Sequence, residues 1–414
     1  MGPIVLFDKS FLQSLSVDES VWFDHFFYPN ICPLFYVETL ADLAKSTGSS
    51  GRKAVDEVRI IADKTPTLSG APCIHHRDLC IANLMGHPVP MTGQIPMAGG
   101  RPVRSPDGKL GVVFDESPEA QAFTRWQQAE FLEIERRFAN QWRAMLTTLD
   151  LKTVAERMQK CGVTPKECKT IEQAHSIAEA LVHTKHQQFE QMGLLFAFLD
   201  IPQQLRHPIL ESWSNHLYKP LAEYAPFAAH VLTVEIFFQI ALAANLISAE
   251  RASNRVDIAY LFYLPFCMAF ASGDKLHQRC SGVFLRKDQS FIWGPDLKTE
   301  LQRLNAEYSK LPETERELGV MKFAATPIGT PDDLIIKLFS KHLPSWRRSH
   351  GARVTPPAKS EKVLVEKLKQ FTDAPTSEEP IPDDLEMDQL AIKRMVPKRK
   401  GNWWVLPKDL KVEE

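Results

Sequence analysis

The chain has 414 residues, enough for about two to three domains or for one domain carrying a large insertion. Hydrophobic residues at 44% and charged residues at 24% are ordinary for a globular protein, so a fibrous or wholly disordered chain is excluded. A formal net charge of −2 excludes wholesale electrostatic attraction to nucleic acid, and any basic surface must be local.

In chain order, Pro3 to Phe7 is a short apolar run with β-branched residues and predicts a buried strand. Asp8 ends it, and KSFLQSL opens a helix, so Asp8 or Ser10 could serve as no more than an N-cap. Tyr28 to Pro33 predicts a turn into a second extended piece. PLFYVETLADLAKS predicts a helix in which Glu38 is flanked by Val37 and Leu40, which tilts it toward partial enclosure. After an amphipathic segment, Lys53 to Lys64, the stretch from Thr65 to Ala120 is rich in Gly and Pro. Within it, Arg101 to Glu116 predicts a hairpin about Ser-Pro-Asp-Gly. CIHHRDLC, Cys73 to Cys80, matches no usual Cys-x-x-Cys zinc pairing, and free, buried cysteines are the expectation there.

From Glu119 to Glu250 the pattern is helical throughout. Phe131, Ile134, Phe138, Trp142, Met145 and Leu149 mark one long amphipathic helix. Phe227 to Ile247 is long enough to span a membrane but carries Glu235 at its centre, so a buried core helix is expected. Glu235 itself reads as a neutral or paired core acid rather than one facing a crevice, and His183 and His186 read as a solvated helix face. Seven scattered cysteines and a start without a signal-peptide pattern predict a reducing, cytoplasmic setting.

NRVDIAYLFYLPFCMAFASGDKL, Asn254 to Leu276, predicts a short helix, a proline break, a buried strand and an acidic turn. A helix that leaves the carboxyl edge of a sheet and feeds a parallel strand puts its own start and that strand's end at one edge. Asp257 and Asp274 are therefore expected to face each other where open α/β sheets bind ligands. Ser290 to Trp293 predicts a further strand and Pro295 to Leu304 a helix; Pro331 to Leu343 predicts another helix. The tail divides by charge. Asp373 to Asp388 is acidic and proline-bearing, as a disordered spacer is. KRMVPKRK, Lys393 to Lys400, followed by Trp403 and Trp404, suits either a nucleic-acid arm or a peptide folded back on its own domain.

VLFDKSFL, PLFYVETLADL and VDIAYLFYLPFCMAFASGDKL together resemble the PIN-domain nucleases. The resemblance covers about the first 60 residues and Arg251 to Leu304. It implies an α/β fold, a three-layer α/β/α PIN-like parallel sheet with acids at its carboxyl edge, here with a large, mainly helical insertion and a C-terminal extension. The implied layout is a PIN-like domain in two parts, 1–64 and 251–310, with a Gly/Pro-rich insertion bearing a hairpin at 65–120. A helical insertion at 121–250, a helical extension at 311–371 and a flexible tail at 372–414 complete it.

The resemblance further implies that Asp8, Glu38, Asp257 and Asp274 hold Mg²⁺ or Mn²⁺ and catalyse phosphodiester hydrolysis, most often of RNA, with Ser10 supporting the first acid. Carboxylates without histidine or thiolate independently favour those hard ions over zinc. Lys275, Arg279 and Arg255 lie close in sequence to the acids and are candidates to hold phosphates. The expectation is thus an endoribonuclease acting on RNA, with DNA as the competing substrate and a regulatory or inhibitory protein as a further partner. The alternative is a catalytically silent PIN-like protein that acts as an interaction or regulatory scaffold.

Overall fold

The computed structural model describes all residues except 1, 46–52, 106–107, 109, 161, 185–186, 350–357, 378–389 and 411–414. In chain order its main strands are β1 (Ile4–Phe7), β2 (Tyr28–Ile31), β3 (Ala71–Pro72), β4 (Gly100–Arg104), β5 (Leu110–Phe114), β6 (Ala269–Ser272), β7 (Ser290–Trp293) and β8 (Leu390–Ile392). Five of them form the central sheet, ordered β3-β2-β1-β6-β7, and every pairing in it is parallel. The architecture is therefore α/β. The chain steps from β1 through β2 to β3 in one direction, then returns to lay β6 on the other side of β1. Right-handed crossovers that run in opposite directions put their helices on opposite faces of a sheet. The order reverses between β1 and β6, which makes their carboxyl ends a crevice.

β1 is central because IVLF is apolar at every position and all four side chains are buried, as a strand covered on both faces requires. Phe7 meets Phe23 and Phe35 edge-on, with ring centroids 5.5 and 5.0 Å apart. Those two rings come from α2 (Val17–Phe26) and α3 (Pro33–Ala41). α2 is locked at its start by Ser16, whose hydroxyl accepts from the Glu19 N–H while the Glu19 carboxylate accepts from the Ser16 N–H.

β3 corrects the expected layout. A third sheet strand lies at Ala71–Pro72, inside the stretch assigned wholly to the Gly/Pro-rich insertion. The hairpin is present as β4 and β5, paired antiparallel. Of its Ser-Pro-Asp-Gly turn, Pro106 and Asp107 lie outside the described residues. Pro226–Ala243 is a core helix, buried along most of its length against Leu151–Lys160, Ile171–His183 and His76–Leu84. Cys73 and Cys80 are buried free thiols. His183 is exposed and its Nδ1 bonds the Glu179 carbonyl, while His186 lies outside the described residues.

Residues 390–410 depart from the expected flexible tail. β8 pairs parallel with β5, and Trp403 is buried at 2% exposure. The Trp403 and Trp22 indoles both donate to Asn305 Oδ1, at 2.8 and 3.0 Å, with their rings 4.7 Å apart. Asn402 N–H donates to Asp18 Oδ1 at 2.8 Å, and the buried Lys400 ammonium donates to the Thr65 carbonyl at 2.9 Å. Of the two readings of this segment, the fold-back onto its own body is the arrangement present. The aromatic and aliphatic surface it buries, together with filled donors, explains why it docks. Most of the acidic spacer, 378–389, lies outside the described residues.

Candidate active site

The site begins with register. β1 and β6 pair Phe7 with Ala271, and the Asp8 N–H donates to the Ala271 carbonyl at 3.3 Å, so Asp8 emerges level with Ser272. Each strand then turns directly into a short helix, and an acid caps each one. Asp8 Oδ1 accepts from the Phe11 N–H at 2.9 Å, at the start of α1 (Lys9–Ser14). Asp274 Oδ1 accepts from the Leu276 N–H at 2.6 Å, at the start of the helix Lys275–Cys280. The capping role considered for Asp8 is thus real, but it uses one oxygen only.

The other oxygen, Asp8 Oδ2, is the hub of a buried network. Ser10 Oγ donates to it at 2.6 Å and Ser272 Oγ at 2.9 Å. His277 Nδ1 stands 3.4 Å from it and 2.7 Å from Ser272 Oγ, while His277 Nε2 reaches the Asp257 carbonyl at 2.6 Å. Burial opposes charge on His277, yet the hydrogen bond and negative charge of Asp8, with Asp257 beyond, carry its pKa up to about 9. Protonated imidazole accounts for the geometry, since both ring nitrogens then donate. Burial tends to raise Asp8, but His277, Ser10 and the Phe11 N–H together hold it below the ordinary aspartate range.

Glu38 and Asp257 complete the acid set. Glu38 projects from α3, and the Tyr260 hydroxyl donates to its Oε2 at 2.5 Å. Burial raises Glu38, with Asp8 adding repulsion and Lys9 and Tyr260 acting the other way. Asp257, half-buried on the helix Asn254–Ala259, is pushed up to about 7, first by burial and then by the negative charges of Glu38, Asp274 and Asp8, against the pull of His277. The carboxyls thus lie near enough to disfavour one another's charge, and among the described residues the Asp257 carboxyl has no hydrogen-bond partner. Also among the described residues, no three His, Cys, Asp or Glu side chains stand ready-made as a metal-binding group.

The three candidate phosphate ligands differ in placement. Lys275 is exposed, and Arg279 donates to the Leu246 carbonyl at 2.7 Å. Arg255 is committed elsewhere: its guanidinium pairs with buried Glu235 and lies 5.9 Å from the centroids of both Phe238 and Phe262. Arg255 therefore stands in an internal ion pair, and Glu235 is a paired core acid. Sequence reading missed Ser272, His277, Tyr260 and Lys9. Lys9 Nζ donates to Asp42 Oδ1 at 3.0 Å and to the Glu38 carbonyl at 3.2 Å, tying the residue after Asp8 to the end of α3. The signal that could have found His277 is its place three residues past the capping Asp274, on the first turn of a helix leaving the sheet edge.

His277→Gln is expected to lower stability by about 2 kcal/mol at pH 6, because a charged donor to Asp8 becomes a neutral one that cannot reach both partners. A histidine whose folded pKa is raised contributes fully below its unfolded value near 6.5, and that contribution is lost as pH rises through about 9. Urea melts of both proteins at pH 6 and pH 10 check this; an unchanged gap between them would count against a charged His277. No family model matches this chain, and searches of curated proteins and of solved structures return no significant match.

Proposed function

We propose that the chain is a divalent-metal-dependent nuclease hydrolysing phosphodiester bonds, with RNA the substrate favoured by its PIN-like features. The observation that supports this reading best is that Asp8 and Asp274 terminate adjoining parallel strands at the point of order reversal. The charge of Glu38 raises the cost of ionising Asp257, and the charge of Asp8 raises it for both. Carboxyls perturbed by burial and by one another at a sheet edge are candidates for a functional site.

The donor set fits a hard ion. All four groups offer carboxylate oxygen, and the half-buried Asp257 carboxyl, repelled by its neighbours, is a group that a cation would relieve. Asp8, Glu38, Asp257 and Asp274 would hold Mg²⁺ or Mn²⁺, which when bound supplies Lewis-acid screening of phosphate charge and activation of water. The chain's own residues do the rest. Ser10 and Ser272 fix the Asp8 carboxylate, His277 ties it to the Asp257 backbone, and Tyr260 orients Glu38.

A second reading, the catalytically silent scaffold, is favoured by one feature. His277 already neutralises Asp8, so a metal must compete with an internal cation. Incubating the full chain with mixed single-stranded RNA and DNA pools, in Mn²⁺ and in chelator, separates the two. The nuclease reading expects cleavage with Mn²⁺ alone, together with about 2.7 kcal/mol of added stability at an ion concentration 100 times its Kd. Absence of both cleavage and stabilisation would leave the scaffold.

A further inference from the structure

A cleft of about 550 Å³ opens directly beside the acids, lined among others by Lys9, Glu38, Lys45, Trp142, Arg143 and Val256. It is continuous with the candidate site, because Glu38 belongs to both and Lys9 and Val256 are the chain neighbours of Asp8 and Asp257. One wall comes from α3. A second wall comes from the helix Glu133–Thr148, which packs on α3 and lies in the stretch read as the helical insertion, and a third from residues between Ala249 and Val256.

The charge of the cleft is uneven. Glu38 and Glu250 line it too, Glu250 with its carboxylate 2.9 Å from the Lys152 ammonium, and Lys9 and Lys45 are two cations that share one carboxylate, Asp42, at 3.0 and 2.7 Å. Arg143 is a third cation. Its Nε donates to the Ala41 carbonyl at 3.1 Å, and no acid pairs with it among the described residues. Beside these cations stands the half-buried Trp142, whose ring stacks on Phe138 at 6.1 Å between centroids.

We propose that this cleft seats an unpaired nucleotide of a single-stranded nucleic acid next to the bond to be cleaved, its base against Trp142 and its phosphate between Lys45 and Arg143. The proposal rests on the nuclease reading for its direction but not for its test. A cavity of this size holds a unit as large as one nucleotide. A base can enter it only out of the stack, which a single strand yields at least cost. Aromatic stacking and cations beside it are the chemistry by which single strands are held without reading their sequence. The helical insertion then has a role at the site: it provides the face on which the substrate base lies.

The test uses the full-length Asp257→Asn protein in chelator, so that binding is scored without cleavage. Fluorescein-labelled single strands of about ten nucleotides, one RNA and one DNA, and a duplex of the same length are titrated by anisotropy. At least one single strand is expected to bind roughly tenfold or more tightly than the duplex. Preference for RNA assigns a role to the 2′-hydroxyl, and equal binding assigns none; both support the site. Trp142→Ala is expected to weaken that binding about tenfold, Trp142→Phe to restore most of it, and Lys45→Glu to weaken it with a reduced salt dependence. Circular dichroism melts confirm that each variant is folded. The proposal is overturned if the duplex binds as well as the single strands, if no strand binds, or if folded Trp142→Ala binds like its parent. Binding without any cleavage by wild-type protein would fail the nuclease reading while leaving the cleft assignment in place.

Discussion

Asp257→Asn is expected to lower Mn²⁺-dependent cleavage by about 10³-fold or more and, in chelator, to make the protein more stable than wild type above pH 7. The two effects share one cause. Asp257 sits where burial and the charges of Glu38, Asp274 and Asp8 hold its carboxyl up at about 7. An aspartate raised in the folded state keeps its proton there while the unfolded chain has already lost its own. Stability therefore falls as pH rises from about 4 to about 7 and stays low above that. The neutral amide removes this penalty, worth roughly 1–3 kcal/mol once the solvent access of a half-buried group is allowed for. It also removes the charge that a divalent ion needs. Urea melts of the two proteins in chelator at pH 5 and pH 8 should show the variant's advantage smaller at pH 5 than at pH 8. Cleavage assays in Mn²⁺ should show the loss of activity. A variant that cleaves like wild type removes Asp257 from the metal set. One destabilised at pH 8 shows that its charge serves the fold.

The parts of the site that were legible in the sequence are those whose pattern is local. β1 with Asp8, and the block from Asn254 to Asp274, announce themselves because apolar runs end abruptly in an acid, and an acid at a strand end must find a cap or a ligand. β3 is two residues long and contains Pro72, so neither alternation nor β propensity marks it; it pairs only because β2 offers an open edge. His277 carries no signal by composition. Its part is set by the β1–β6 register, which brings Asp8 to it from far earlier in the chain. The basic and aromatic tail left two readings open for a related reason: the features that suit nucleic acid also suit a segment that docks its tryptophan on Trp22 and Asn305. Local chemistry was readable wherever one segment held the whole pattern. It was not readable wherever the partner came from another crossover.

Arg255 is the sharpest case, and its substitution tells structural from substrate roles. Arg255→Ala is expected to cost about 3–5 kcal/mol, because it leaves Glu235 alone in a buried helix. Burial already raises the Glu235 pKa, with only Arg255 acting to lower it. Without the guanidinium the carboxyl must bind a proton or remain as an unpaired charge. The loss should therefore be smaller at pH 5, where protonation is cheap, and larger at pH 8. Arg255 is partly open to solvent, which favours the low end of the range, while the loss of its contacts with Phe238 and Phe262 adds to the cost. Glu235→Gln in the same chain removes the stranded charge, and the double variant should regain much of the deficit at pH 8. The opposite outcome is equally clear. If Arg255→Ala melts like wild type and instead loses affinity for labelled single strands in the Asp257→Asn background, the guanidinium serves substrate phosphate and the internal pair is dispensable.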